Sequence, residues 1–136
     1  MPPLPTKVLL VDDDDELLNA TRRLLSASEP DWEILTACDG KEAITLLLEH
    51  SIAVVITDLC MPVLDGFGLL KHLAAHHPET IRIVHSSHSA NHHEAHRAPA
   101  HRVVHKPASP SHLLTIARWA VRQSSVHRAG SPSDPR

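Results

Sequence analysis

Residues 53–58, with the sequence AVVITD, decide the fold that this chain is predicted to adopt. Four successive β-branched residues, with no charge before Asp58, are typical of a strand buried on both faces, as in the middle of a parallel sheet. A second apolar run, VLLV at residues 8–11, also ends at an acidic residue, Asp12. The sequence therefore predicts two buried strands, each followed by a carboxylate.

Strand-like and helix-like segments alternate along the rest of the chain. Further strands are predicted at residues 32–37, 81–84 and 102–104, and apolar residues at helical spacing follow each strand except the fourth. Residues 89–98, after the fourth strand, are the weakest helix candidate because their alanines offer little apolar surface to bury. Five strands alternating with five helical segments predict an α/β fold with a doubly wound, five-stranded parallel sheet.

Length and charge limit the kind of protein. The 136 residues are enough for one domain, and the formal net charge of −3 lacks the basic excess typical of proteins that bind nucleic acid or anionic membranes. Two cysteines without CxxC spacing, and no apolar run of the length of an export signal or a membrane span, predict a cytoplasmic protein with reduced thiols. We expect an N-terminal extension (1–6), a folded domain (7–123) and a disordered tail or linker (124–136).

Complementary polar groups follow four of the predicted strands. They are Asp12 and Asp13, Asp58, Ser86 and Lys106. The carboxyl ends of parallel strands meet at one edge of a sheet, so these side chains are expected to form one site. Carboxylates are ligands that Mg²⁺ prefers, and a lysine and a hydroxyl can contact a phosphoryl group. The sequence predicts Mg²⁺-dependent phosphoryl transfer to a carboxylate nucleophile.

Four stretches carry a family resemblance: VLLVDDD at 8–14, VVITDLCMPVLDG at 54–66, HSSH at 85–88 and VVHKP at 103–107. Together they resemble the CheY-like receiver domain of response regulators in two-component signalling, over about residues 7–123. The resemblance implies a flavodoxin-like (βα)5 fold. It also implies that Asp58 accepts a phosphoryl group from the phosphohistidine of a histidine kinase or phosphotransfer protein.

The resemblance also implies a role for each site residue. Asp12 and Asp13 would organise Mg²⁺ together with Asp58 and the backbone carbonyl of Cys60. The protein would then catalyse its own phosphorylation and dephosphorylation, without turnover of an external substrate.

Ser86 would supply the hydroxyl that follows the phosphoryl group, and Lys106 would pair with that group ahead of a cis Lys106–Pro107 bond. Val103 stands where the family commonly has Tyr or Phe, so we expect activation without an aromatic rotamer change. The signal would instead pass through the face between segment 89–98 and the last helix to a downstream protein, an output domain or a second copy of the domain.

Two alternatives remain open from the sequence. A haloacid-dehalogenase-like phosphatase also uses an aspartate nucleophile, but its first-strand motif Asp-x-Asp-x-Thr meets Glu16 here. A histidine-rich metal-binding module is the other, because His88, His92 and His96 recur at helical spacing and an i, i+4 pair can ligate a transition metal. Trp119 is expected to face outward from the last helix, where it could anchor a partner or lie flat over a neighbouring element.

Overall fold

The computed structural model describes residues 5–61, 63–87 and 98–130, with side chains described up to residue 124. The strands are β1 (Thr6–Val11), β2 (Trp32–Ala37), β3 (Val54–Thr57), β4 (Ile81–Ser87) and β5 (Arg102–Lys106). The helices in the described part of the chain are α1 (Asp15–Ser28), α2 (Gly40–Glu49), α3 (Gly66–His76) and α4 (Pro110–Gly130). Both β4 and β5 are longer than predicted, so that Ser86 and Lys106 lie on strands.

All five strands pair in parallel, in the order β2-β1-β3-β4-β5. In the register, Val11 is opposite Thr57, and Thr57 is opposite Val84. Strands β1 and β3 therefore end level with each other, which brings the residues after them to one edge of the sheet. The predicted α/β fold with a five-stranded parallel sheet is confirmed.

Aspartate side chains cap three helices at their N-termini. The carboxylate of Asp14 accepts a hydrogen bond from the backbone N–H of Leu17 at 3.2 Å, and Asp39 and Asp65 cap α2 and α3 in the same way at 2.8 and 2.9 Å. Each cap satisfies a backbone donor that has no partner within the helix, which is typically worth about 1 kcal/mol. The last helix begins with the Ser-Pro pair typical of helix starts, Ser109 and Pro110, and Ser109 Oγ accepts a hydrogen bond from a backbone N–H at 3.2 Å.

The sheet separates two apolar clusters. Alternate residues of β1, β3 and β4 face α1 and α4 on one side and α2 and α3 on the other, as a doubly wound sheet requires. The first cluster includes Val8, Leu10, Ile56, Ile83, Leu25 and Ala117, and the second includes Leu9, Val11, Val55, Val84, Leu47 and Leu70.

The C-terminal half of the chain differs from the sequence-based expectations at α4 and Trp119. Residues 88–97, which include most of the weak helix candidate and the histidines at positions 88, 92 and 96, lie outside the described residues. Helix α4 continues to Gly130 and buries Ser124, so the chain is still helical where the tail was expected to begin, although the division into domains stays a prediction.

Trp119 does not face outward as expected. It is half-buried against the α1–α4 cluster, with the Arg102 guanidinium 4.1 Å from the ring centroid.

Candidate functional site

Three aspartates meet at the carboxyl edge of the sheet. Asp12 and Asp13 follow β1 and Asp58 follows β3, and one carboxylate oxygen of each lies within 4.8 Å of the others. Asp12 is buried at 5% exposure, Asp58 is half-buried and Asp13 is exposed. Among the described residues this is the group of three donors close enough to share a metal ion, and three carboxylates suit a hard cation such as Mg²⁺.

Lys106 joins two of these carboxylates. Its Nζ lies 2.6 Å from Asp12 Oδ2 and 3.2 Å from Asp58 Oδ2. Burial alone would lower the pKa of Lys106, but the hydrogen bond and charge of Asp12, with the charge of Asp58, outweigh it and raise the pKa. For Asp12 burial outweighs the contacts with Lys106 and the backbone N–H of Asp14, so its pKa is raised. Lys106 therefore remains charged and offsets the repulsion between the two acids.

The carboxylate of Asp58 is held in one orientation by the backbone that follows it. Oδ1 accepts hydrogen bonds from the N–H of Leu59 at 2.7 Å and of Cys60 at 3.4 Å, while Oδ2 faces Lys106. The Asp58 N–H donates to the carbonyl of Val11 at 2.9 Å, which ties this residue to the end of β1. A carboxylate fixed in this way at the mouth of a site is arranged to act as a nucleophile.

The other predicted site residues are less completely placed. Ser86 lies on β4, buried at 4% exposure, two residues beyond the partner of Thr57 and therefore near the level of the loop after Asp58. Cys60 is exposed, and its backbone N–H faces Asp58. The structure thus brings together Asp12, Asp58 and Lys106 by direct contact, while the roles of Ser86 and the Cys60 carbonyl remain predictions.

Two further features concern residues that the family resemblance singled out. The Lys106–Pro107 peptide bond is cis. Val103 is half-buried and packs against the cluster on the α2–α3 side, at the position where an aromatic residue is common in the family.

His85 belongs to the surroundings of the site, because it lies beside Lys106. It is 7% exposed, and its Nε2 has no hydrogen-bond partner among the residues that the structure describes. Burial lowers its pKa to about 4, helped by the positive charge of Lys106. It borders a cavity of about 160 Å³ that also touches Leu17, Lys106 and Leu113. Strand alternation could have indicated this position, because His85 is two residues beyond Ile83, which faces the α1–α4 side.

Gly66 is a second residue whose importance the sequence did not reveal. Its N–H donates to the carbonyl of Leu59 at 2.9 Å, and a Cβ at this position would lie 2.0 Å from the carbonyl oxygen of Asp58. The first residue of α3 therefore packs directly on the loop that follows β3, residues 58–65. An Asp-Gly pair is typical of a turn, which does not by itself indicate this close approach.

Within the described part of the chain, no helix combines the length and the apolarity that crossing a membrane requires.

A family model described as the response regulator receiver domain matches residues 8–118. Among curated proteins, the hydrogenase transcriptional regulatory protein HoxA of Cupriavidus necator is 33% identical over 128 residues, which is 89% of this chain and 26% of HoxA. The regulatory protein VanRB of Enterococcus faecalis is 32% identical over 121 residues, which is 88% of this chain and 54% of VanRB. The chain thus spans about a quarter and about half of these two relatives.

Solved structures agree with this match. A response regulator receiver domain protein from Clostridium thermocellum has a TM-score of 0.80 at 27% identity, covering 89% of this chain and 98% of that one. NtrX from Brucella abortus has a TM-score of 0.83 at 26% identity, covering 94% of this chain but 29% of NtrX. With a matching family model over most of its length and the five-stranded sheet of those structures, this chain belongs to the response regulator receiver domain family of two-component systems.

Proposed function

We propose that this receiver accepts a phosphoryl group on Asp58 from the phosphohistidine of a histidine kinase or a phosphotransfer protein. The observation that carries the proposal is the bridge from Lys106 to both Asp12 and Asp58, which come from separate strands. A lone surface acid would not be held between a cation and two backbone N–H groups. The haloacid-dehalogenase-like alternative is not carried forward, because the matching family model is that of receiver domains.

The transfer itself is a displacement at phosphorus. An oxygen of the Asp58 carboxylate attacks, the bond from phosphorus to the donor imidazole nitrogen breaks, and that nitrogen keeps the electron pair and is protonated. Attack by an anion on a charged phosphoryl group is opposed by repulsion. Lys106 reduces that repulsion because its ammonium already lies 3.2 Å from Asp58 Oδ2.

A divalent cation fits beside the phosphoacceptor. The oxygen donors of Asp12, Asp13 and Asp58 would hold Mg²⁺, with the carbonyl of Cys60 as a further ligand. When bound, Mg²⁺ supplies positive charge to the transferring oxygens without any proton transfer. Ser86 would donate its hydroxyl to the bound phosphoryl group, and the same site would hydrolyse the aspartyl phosphate slowly without acting on an external substrate.

The proposed output route leads away from this site. Because HoxA, VanRB and NtrX are longer than this chain, we propose that its phosphorylation controls an output domain or a downstream protein rather than direct nucleic-acid binding. The proposed contact surface includes α4 and, as the sequence predicts, segment 89–98, most of which lies outside the described residues; the same surface would join two copies of the receiver. We propose a cytoplasmic location, where kinase and receiver would meet.

Phosphorylation of a purified Asp58→Asn variant tests the proposal. Wild-type protein is incubated with Mg²⁺ and either acetyl phosphate or phosphoramidate, whose P–N bond resembles that of phosphohistidine, and incorporation is followed by intact mass. We expect incorporation in the wild type and in Asp39→Asn, a control that keeps an equally good helix cap, and none in Asp58→Asn. Equal incorporation in the wild type and Asp58→Asn, or incorporation undiminished by EDTA, would contradict the proposal.

A further inference from the structure

The end of α3 carries three histidines, His72, His76 and His77. Helix α3 begins beside the loop that follows β3 and runs antiparallel to the strands. The histidine cluster at its end therefore lies at the opposite edge of the sheet, next to the start of β4. His72 and His76 are one helical turn apart on the same face, with ring centroids 4.6 Å apart and planes inclined at 40°. The His77 ring centroid lies 5.7 Å from that of His72.

The cluster contains an unusual polar group. Nε2 of His72 is buried and has no hydrogen-bond partner within the described residues. The pKa of His72 is lowered, first by burial and then by the proximity of His76 and His77, so this imidazole is neutral near pH 7. A neutral imidazole has a nitrogen lone pair, which is the form of histidine that binds transition metals. Burial without a partner is unfavourable, and a bound cation would relieve it.

The separations between the ring centroids are close to those of imidazoles that share a metal ion. With metal–nitrogen bonds of 2.0–2.1 Å, two imidazoles on one tetrahedral ion have ring centroids roughly 5 Å apart. The separations of 4.6 and 5.7 Å lie on either side of that value. The nitrogen donors of the three histidines do not lie within 4.8 Å of one another, so binding requires the rings to turn toward a common point, and the exposed side chain of His76 has room to do so.

The surroundings leave room for the remaining ligands. A polar cleft of about 340 Å³ is lined by His76 and His77, together with Glu79 and Thr80, whereas His72 packs beside these two rings and does not line the cleft. Water in this cleft can complete a coordination shell. His50 lines the same cleft but is engaged elsewhere, because its Nδ1 accepts a hydrogen bond from Lys7 Nζ at 3.0 Å. The negative end of the α3 dipole lies here as well and favours a bound cation.

We propose that His72, His76 and His77 bind one divalent transition-metal ion at a site separate from the aspartate cluster. Nitrogen donors select ions such as Zn²⁺ or Ni²⁺ over Mg²⁺, whereas the three carboxylates favour Mg²⁺. The two sites are therefore distinguished by ligand chemistry and by their positions at opposite edges of the sheet.

Zn²⁺ titration of the full chain in excess Mg²⁺ tests the site. The wild type is compared by calorimetry with a His72→Gln/His76→Gln double variant and with a His92→Gln/His96→Gln control, which removes a pair of the same sequence spacing. Loss of a second-shell partner alone weakens metal binding roughly 10–100-fold, so removal of two ligands should weaken it at least tenfold. The control pair should leave this affinity unchanged within about twofold.

A site-resolved measurement separates this cluster from the other histidines of the chain. Cu²⁺ added to ¹⁵N-labelled protein should broaden the amide signals of the α3 C-terminus selectively. If the double variant is poorly folded, His76→Gln alone serves instead, because this exposed side chain contributes little to packing. Wild-type Zn²⁺ affinity in the folded variant, or Cu²⁺ broadening that omits residues 72–77, would overturn the proposal. Neither result depends on phosphorylation of Asp58.

Discussion

Replacement of His85 by Leu should change how the stability of the domain depends on pH. His85 is 7% exposed on β4, and burial followed by the charge of Lys106 lowers its pKa from 6.5 to about 4, with Asp58 acting weakly in the opposite direction. A difference of about 2.5 between the unfolded and folded pKa corresponds to roughly 3 kcal/mol in the free energy of unfolding at full effect.

The sign follows from proton binding. Between pH 6.5 and about 4 the unfolded chain binds a proton at His85 that the folded chain excludes, so acidification favours unfolding. Above pH 6.5 both states are neutral at this residue and its effect vanishes. From pH 7 to pH 5 this histidine alone should lower the free energy of unfolding by about 2 kcal/mol.

Urea unfolding in EDTA at pH 7 and pH 5 measures this effect. The wild type should lose about 2 kcal/mol more than His85→Leu over this range, because the variant has no group to titrate there. Other titrating groups, including Asp12 with its raised pKa, are common to both proteins and cancel in the comparison. His112→Leu, which removes an exposed histidine, should behave as the wild type does. If Leu disturbs the packing, His85→Gln provides the same comparison, and equal pH dependence of wild type and variants would refute the reasoning.

Two positions that follow Asp58 in the chain, Gly66 and Val63, give the remaining predictions. Gly66→Ala should destabilise the fold by about 1–3 kcal/mol and slow phosphorylation, because its Cβ would lie 2.0 Å from the Asp58 backbone oxygen. Gly68→Ala is the matched control: the nearest atom to its Cβ would be the end of the flexible Leu64 side chain at 2.5 Å, and Asp65 Oδ1 would lie at an ordinary 3.6 Å, so thermal unfolding should change little. Val63→Gly should stabilise by about 1 kcal/mol in urea unfolding, since Val63 is 75% exposed with φ of 71°, a conformation unfavourable for β-branched residues; a lower midpoint would contradict this.

The strand ends could be predicted from sequence because they depend on short-range pattern and on one general rule of parallel sheets. Apolar runs before Asp12 and Asp58 predict strands, and parallel pairing then brings their ends together without any knowledge of side-chain contacts. The bridge from Lys106 to both acids was expected only in outline. Its distances depend on how far β5 extends, and that strand is longer than the segment 102–104 that the sequence predicted.

Features that depend on a second element were harder to predict. The helical wheel gives the direction of Trp119 from its own helix but cannot show that Arg102 of β5 covers the ring. Burial of Ser124 likewise depends on packing around it rather than on local propensity, which is low in the Ser-rich sequence after residue 123. The i, i+4 pair His72 and His76 could have been recognised from its helical spacing, whereas the proximity of His77 depends on the point at which α3 ends.

The direction of α3 separates the two proposed metal sites. Gly66 packs on Asp58 at one end, and a rise of 1.5 Å per residue puts His76 about 15 Å further along the axis. The Debye length is about 8 Å at physiological ionic strength, so a cation at one end is largely screened from an exposed charge at the other. The two ions also require different donor atoms, oxygen at the aspartates and nitrogen at the histidines. Their binding energies should therefore add, and Asp58→Asn should leave the Zn²⁺ affinity of the histidine cluster unchanged.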